Sequence, residues 1–272
     1  MDNRPIGVFD SGLGGLTVVK EIKKVLPNEQ IVYLGDTARV PYGTRSKETI
    51  IKFAIEDANF LFKKNVKCIV VACNSVSSVA TDILKNKYKI PIFNMITPTC
   101  EYVGKIKRLK RVGIIGTTVT VESNTYKNNL KKYNKKLSVF QNKAPLLVPL
   151  VEEGEVNSNF TYEIVKTYLS PLIQDKVDSV ILGCTHYPVL MSLFKKILGN
   201  NVLLIDPAVY TSKNIFEYLS KNNLLSSSNN KQDDFFFLTD LSPRSADLIN
   251  IFLEEKISLK IKQINLEKRY NE

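Results

Sequence analysis

Short apolar runs alternate with amphipathic stretches along the whole chain. Runs at Ile6 to Phe9, Ile31 to Leu34, Cys68 to Ala72, Ile92 to Ile96, Val112 to Ile115, Leu137 to Phe140, Val180 to Leu182, Val202 to Ile205 and Phe235 to Leu238 predict buried strands. The stretches between them carry helical periodicity. From Lys47 to Lys64, Ile50, Phe53, Ala54, Asp57 and Leu61 fall on one mostly apolar stripe, while Lys52, Glu56 and Lys63 fall elsewhere. This alternation predicts an α/β fold in which mainly parallel sheets are covered by crossover helices. The polar run at 226–234, SSSNNKQDD, reads as a loop.

The pattern also repeats on a longer scale. IGVFDSG at 6–12 resembles VGIIGTT at 112–118, and IVVACNS at 69–75 shares its frame with SVILGCT at 179–185. Each half therefore contains an aliphatic strand, a cysteine and a small polar cap that opens a helix. The repeat is of domain length, with Thr97-Pro98 as the crossing point between halves. Phe235 to Leu238 and a helix beginning near Ser242 come after the second half is complete, so they are expected to return to the first.

Four predicted strand ends carry small polar residues: Asp10-Ser11-Gly12, Cys73-Asn74-Ser75, Gly116-Thr117-Thr118 and Cys184-Thr185-His186. Such ends are where α/β proteins hold ligands, because free backbone N–H groups point outward there. A dinucleotide fingerprint continuing Gly12 and Gly14 would need glycine at position 17, which is Thr17. The glycine-rich turn is therefore read as close approach to a small anionic ligand.

Composition narrows the chemistry. The 272 residues are 44% hydrophobic and 24% charged, enough apolar material for one large or two smaller cores. The net charge of +11 comes mostly from lysine, since only seven of the 38 basic residues are arginine. Lys105, Lys107, Arg108, Lys110 and Arg111, and then Lys131, Lys132, Lys135 and Lys136, flank amphipathic patterns as solvated faces do, so nucleic acid is not the expected partner. Met1 to Pro5 lack a signal-peptide profile, and no apolar run is long enough to span a bilayer. A cytoplasmic location without a membrane partner is expected. The cysteines at 68, 73, 100 and 184 have no CxxC spacing and His186 is the only histidine, so reduced thiols and no metal site are expected.

A strand-end cysteine is usually inert packing, and Cys68 and Cys100 keep that reading. The repeated frame reverses it for Cys73 and Cys184. His186, two residues beyond Cys184, is placed to tune that thiol's proton. Asp10 closes an Asx turn, orients a substrate ammonium or polarises a thiol.

Five segments, DSGLGGLTV (10–18), GDTARVPYG (35–43), ACNS (72–75), LVPLVEEGE (147–155) and LGCTHYP (182–188), together resemble the bacterial glutamate racemases of the aspartate/glutamate racemase superfamily. They do so in order and over nearly the whole chain. One departure is Ser75, where the family commonly has threonine; the hydroxyl is kept and a methyl is lost. The resemblance implies two pseudosymmetric doubly wound domains, residues 1–97 plus 208–272 and residues 98–207, with the active site in the cleft between them. It implies a homodimeric, cofactor-independent isomerase that interconverts L- and D-glutamate and supplies D-glutamate for peptidoglycan. In that family's terms Cys73 acts on the D-enantiomer with help from Asp10, and Cys184 on the L-enantiomer with help from Glu152 and His186. Glu153, beside Glu152, is the alternative for that role. Asp10 and Ser11 would contact the substrate's amino-acid end. Pro41, Tyr42 and Gly43 would form a wall, and Asn74, Ser75, Thr117, Thr120, Thr185 and His186 would line the substrate. The long N-terminal extension of activator-dependent relatives is not seen, which weighs against that control. The rival readings are an aspartate or broad-specificity racemase, a DNA- or gyrase-binding protein using the lysine clusters, and a cysteine hydrolase, which a second matched thiol fits badly.

Overall fold

The computed structural model describes residues 1–227, 233–254 and 260–266. The strands are β1 (Ile6–Asp10), β2 (Ile31–Gly35), β3 (Cys68–Val71), β4 (Ile92–Asn94), β5 (Arg111–Gly116), β6 (Ser138–Lys143), β7 (Ser179–Gly183), β8 (Leu203–Ile205), β9 (Phe235–Leu238) and β10 (Ile261–Gln263). They form two sheets, ordered β10-β9-β2-β1-β3-β4 and β6-β5-β7-β8, and every pairing is parallel. The inner strands β1, β2, β3 and β7 are buried along their whole length, as near-continuous aliphatic runs with helices on both faces must be.

Within the two sheets, β2-β1-β3-β4 and β6-β5-β7-β8 repeat one topology, the structural counterpart of the sequence repeat. Register then decides where the polar caps go. In the first sheet Phe9 pairs with Val71, so Asp10 and Cys73 leave the same edge. In the second, Gly116 pairs with Gly183, which puts Thr117 and Cys184 side by side. The segment after residue 207 returns to the first half. The helix Pro207–Lys221 packs on the helix Leu16–Val25, and β9 extends the first sheet on β2. One buried apolar cluster runs through both sheets, from Ile6 and Val70 to Ile115 and Val180.

Several boundaries differ from the sequence reading. The run Ile92 to Ile96 is strand only to Asn94, whose Oδ1 accepts N–H bonds from Ile96 and Thr97, both at 2.9 Å. Chain direction changes there, and the crossing point Thr97-Pro98 lies in the first turn of the helix Ile96–Lys105, where proline loses no helical hydrogen bond. Strand β6 continues to Lys143 through Gln141 and Asn142 because it is a half-exposed edge. Strand β10, a short segment with two exposed residues, was not expected. The C-terminal helix begins at Ser245, with Ser242 N–H donating to Ser245 Oγ at 3.0 Å. Of the loop read at 226–234, residues 228–232 lie outside the described residues. Among the described residues no helix is long and apolar enough to cross a membrane. The basic clusters lie largely exposed before β5 and β6, at the sheet edge opposite the cysteines.

Candidate active site

The two sheets bring their carboxyl edges together, and both cysteines lie there, buried and free of disulfides. Cys73 precedes the helix Asn74–Val79, and its Sγ donates to Ser11 Oγ at 3.6 Å. Burial raises this thiol to about 12; the Asp10 and Cys184 charges push the same way, against the Val76 N–H and the Ser11 hydroxyl. Cys73 is therefore a protonated thiol at neutral pH.

Cys184 sits in a different environment. Its Sγ lies 3.8 Å from His186 Nδ1, and His186 Nε2 lies 2.6 Å from Glu152 Oε1. Burial alone would strip the imidazole of its proton. The hydrogen bonds to Cys184 and Glu152 outweigh that and hold His186 well above its ordinary range, as an imidazolium. The geometry also separates the adjacent glutamates: Glu152 faces the histidine, while Glu153 turns outward into an ion pair with Arg244.

Asp10 ties the two sides together. Its Oδ2 accepts from Gly12 N–H at 3.2 Å and Gly15 N–H at 3.0 Å, and its Oδ1 accepts from Thr185 Oγ1 at 3.3 Å. Burial raises this carboxyl; the His186 charge and the two N–H donors act against it. Two N–H groups of the glycine-rich turn, those of Gly12 and Gly15, thus hold the Asp10 carboxyl. The turn's third glycine has a steric role. A Cβ on Gly14 would fall 2.5 Å from His186 Nδ1 and 2.6 Å from Thr185 Oγ1, so only glycine lets this turn close on the Cys184 loop.

The remaining residues named from the sequence gather on the same edge. Ser75 Oγ meets Thr117 Oγ1 at 2.9 Å across the two halves, and Thr117 Oγ1 meets Thr120 Oγ1 at 3.0 Å. Thr117 also N-caps the helix Thr118–Glu122. Pro41, after a cis peptide, and Gly43 flank Tyr42, whose buried hydroxyl contacts Asp36 and Asp57.

Some contributors were not legible in the sequence. Tyr126 donates to Asn74 Oδ1 at 2.7 Å, which leaves the Asn74 amide N–H groups for other partners. Thr17 Oγ1 lies 3.1 Å from the Thr185 carbonyl and donates to Gly14 O at 2.8 Å. Tyr33 donates to Gly12 O at 2.6 Å. The available signal was a buried tyrosine in a helical or strand pattern, which demands a partner without naming it. Among the described residues no group of three or more His, Cys, Asp or Glu side chains is placed to hold a metal ion.

The strand ends of the two sheets thus carry two cysteines in unequal surroundings, Cys73 a neutral thiol beside Ser11 and Cys184 beside an imidazolium. Comparison with known proteins places the chain in a family. Residues 6–212 match the Asp/Glu/hydantoin racemase family. A glutamate racemase from Thermoanaerobacter pseudethanolicus is 44% identical over 226 residues, covering 83% of this chain and 84% of its own. One from Geobacter metallireducens is 39% identical over 264 residues, 97% of each chain. Among solved structures, glutamate racemase from Francisella tularensis in complex with D-glutamate superimposes with a TM-score of 0.92 at 39% identity, over 98% of this chain and 100% of that one.

Proposed function

The chain belongs to the Asp/Glu/hydantoin racemase family and is an isomerase of its glutamate racemase group, and from that premise we propose that it interconverts L- and D-glutamate by proton transfer between Cys73 and Cys184. The observation that carries this reading is the unequal surroundings of two equivalent thiols. Glutamate binds between the halves, residues 1–97 with 208–272 and residues 98–207, with one sulfur on each face of its α-carbon. With L-glutamate bound, the Cys184 thiolate, hydrogen-bonded to the His186 imidazolium, removes the α-proton. The Cys73 thiol then donates its own proton to the opposite face. The turnover leaves Cys184 as thiol and Cys73 as thiolate, the starting state for the reverse reaction. Glu152 anchors the imidazolium, and Asp10 with Ser11 serves the Cys73 side and the substrate ammonium.

The α-carbanion develops charge that its carboxylate must carry. Asn74, Ser75, Thr117, Thr120 and Thr185 supply amide, hydroxyl and backbone donors for the two carboxylates in a site with little water. The glutamate bound in the Francisella tularensis structure supports the choice of substrate. The product, D-glutamate, suits peptidoglycan synthesis in the cytoplasm.

The test follows the circular dichroism of L- and D-glutamate in D₂O with the wild type, Cys73→Ser and Cys184→Ser. Racemisation with deuterium at the α-carbon is expected for the wild type, and its loss in both variants. Loss in only one variant, or racemisation without deuterium, overturns the two-thiol mechanism. Faster turnover of aspartate than glutamate overturns the substrate.

A further inference from the structure

Behind the loop that carries Pro41, Tyr42 and Gly43, two fully buried carboxyl groups meet. Asp57 is the one charged residue on the apolar stripe of the helix Lys47–Lys63, and Asp36 follows β2. The Tyr42 hydroxyl contacts Asp36 Oδ2 and lies 3.0 Å from Asp57 Oδ2. Arg39 places Nε 2.5 Å from Asp36 Oδ2 and Nη2 3.4 Å from Asp57 Oδ1, and pairs its Nη1 with Glu56. Thr239 Oγ1 donates to Asp36 Oδ1 at 2.9 Å.

The loop is held at both ends as well. Asp36 N–H donates to the Asp10 carbonyl at 3.0 Å, and Val119 N–H donates to Gly43 O at 3.2 Å. Gly43 lies so close to the second half that a Cβ there would fall 2.5 Å from Thr117 Cβ. The segment 36–43 is thus a strap from Asp10 to Thr117; Thr37 and Ala38 bond to Asp240 and Thr239, and Arg39 and Tyr42 tie it to Asp36 and Asp57.

The cluster is one proton short. Asp36, Glu56 and Asp57 face a single guanidinium, and the Tyr42 hydroxyl has one proton for two carboxyl oxygens. Were both aspartates ionised, one contact would set a phenol lone pair against a carboxylate in a dry site, which is costly. One additional proton removes the conflict.

We propose that Asp57 carries this proton and acts as a positioning residue: Asp57 Oδ2–H donates to Tyr42 Oη, Tyr42 donates to Asp36 Oδ2, and the chain fixes the strap against the substrate. The proposal rests on the reading that residues 41–43 wall the glutamate site. The surroundings support it. Burial first, and then the Asp36 charge, raises Asp57 well above the ordinary carboxyl range, with Arg39 and Tyr42 opposing and Glu56 adding. Burial and the Asp57 and Asp36 charges together keep Tyr42 a neutral phenol.

Two readouts test it on the full chain. In infrared difference spectra at neutral pH between wild type and Asp57→Asn, the wild type shows a protonated-carboxyl C=O band that the variant lacks. In kinetics, Tyr42→Phe raises the KM for glutamate about tenfold with a smaller change in kcat, whereas Asp57→Asn, which still donates through its amide, stays within about threefold of wild type. Wild-type KM rises at alkaline pH as Asp57 loses its proton, and the Asn variant removes that rise. Absence of the band, or a KM in Asp57→Asn raised as far as in Tyr42→Phe, overturns the proposal. A wild type that does not racemise glutamate overturns the racemase reading and the positioning role with it, while the band reports the Asp57 proton independently.

Discussion

Cys73 and Cys184 each follow the strand that pairs with the first strand of its half, and each opens a polar turn, but their neighbours differ. On the Cys73 side the sulfur meets a serine hydroxyl and a backbone N–H, and burial keeps the proton on sulfur. On the Cys184 side a histidine stands beside the sulfur, kept charged against burial by its hydrogen bonds to Cys184 and Glu152. Duplication of a strand-cap geometry accounts for the shared position. Divergence of the residues around it accounts for the different surroundings, and the proposed two-base reaction needs such an asymmetry between its acid and its base.

Replacing Glu152 should break the comparison most severely. In Glu152→Gln the imidazolium loses its ionic partner, and kcat/KM is expected to fall about 10²- to 10³-fold. Enantiomers are equally stable in water, so the fall must be equal in both directions. The pH profile carries the sharper information. His186 is raised in the folded protein, so the charged form persists through neutral pH and is lost only as pH rises through the raised value. Without Glu152 that value drops, and the alkaline limb of kcat/KM should move to lower pH. An unmoved limb would mean that His186 is not the group that distinguishes the two sides.

Gly14→Ala attacks the same side sterically. The added methyl would collide with His186 Nδ1 and Thr185 Oγ1, so the imidazole must move off the sulfur. A misplacement of about 1 Å can cost about 10²-fold in rate, and a loss of roughly ten- to a hundredfold is expected with the far-ultraviolet circular dichroism unchanged. Full activity in this variant would show that contact between the glycine-rich turn and the Cys184 loop is not required. Ser11→Ala should have the smallest effect. It removes one neutral hydrogen bond from Cys73, for about a three- to tenfold loss in kcat/KM, and leaves the alkaline limb where it was. If it moved that limb as far as Glu152→Gln does, the two sides would not be electrostatically distinct.

Much of this arrangement was legible in the chain. Aliphatic runs mark the inner strands because both faces of a parallel sheet are covered, and their small polar ends mark the edge where ligands bind. The residues named at those ends do converge. Less was legible where a local signal had more than one spatial outcome. The run through Ile96 was apolar enough to continue β4, but Asn94 caps a helix there. Tyr42 reads as part of a wall, yet its hydroxyl serves Asp36 and Asp57 behind it. Glu152 and Glu153 are adjacent and chemically alike, and the direction each faces depends on how the helix Leu147–Glu152 ends.

The inner strands, the polar caps at their ends, the duplicated cysteine frames and the family resemblance are all legible in the chain, because hydrophobic periodicity and short polar caps are local properties. Tertiary structure alone decided which groups share a proton. Asp10 reaches Thr185, Tyr126 reaches Asn74, and Glu152 rather than Glu153 reaches His186. Those pairings join residues distant in the chain. Their strength depends on burial and on separations of a few ångströms, which exist only after the two sheets have packed.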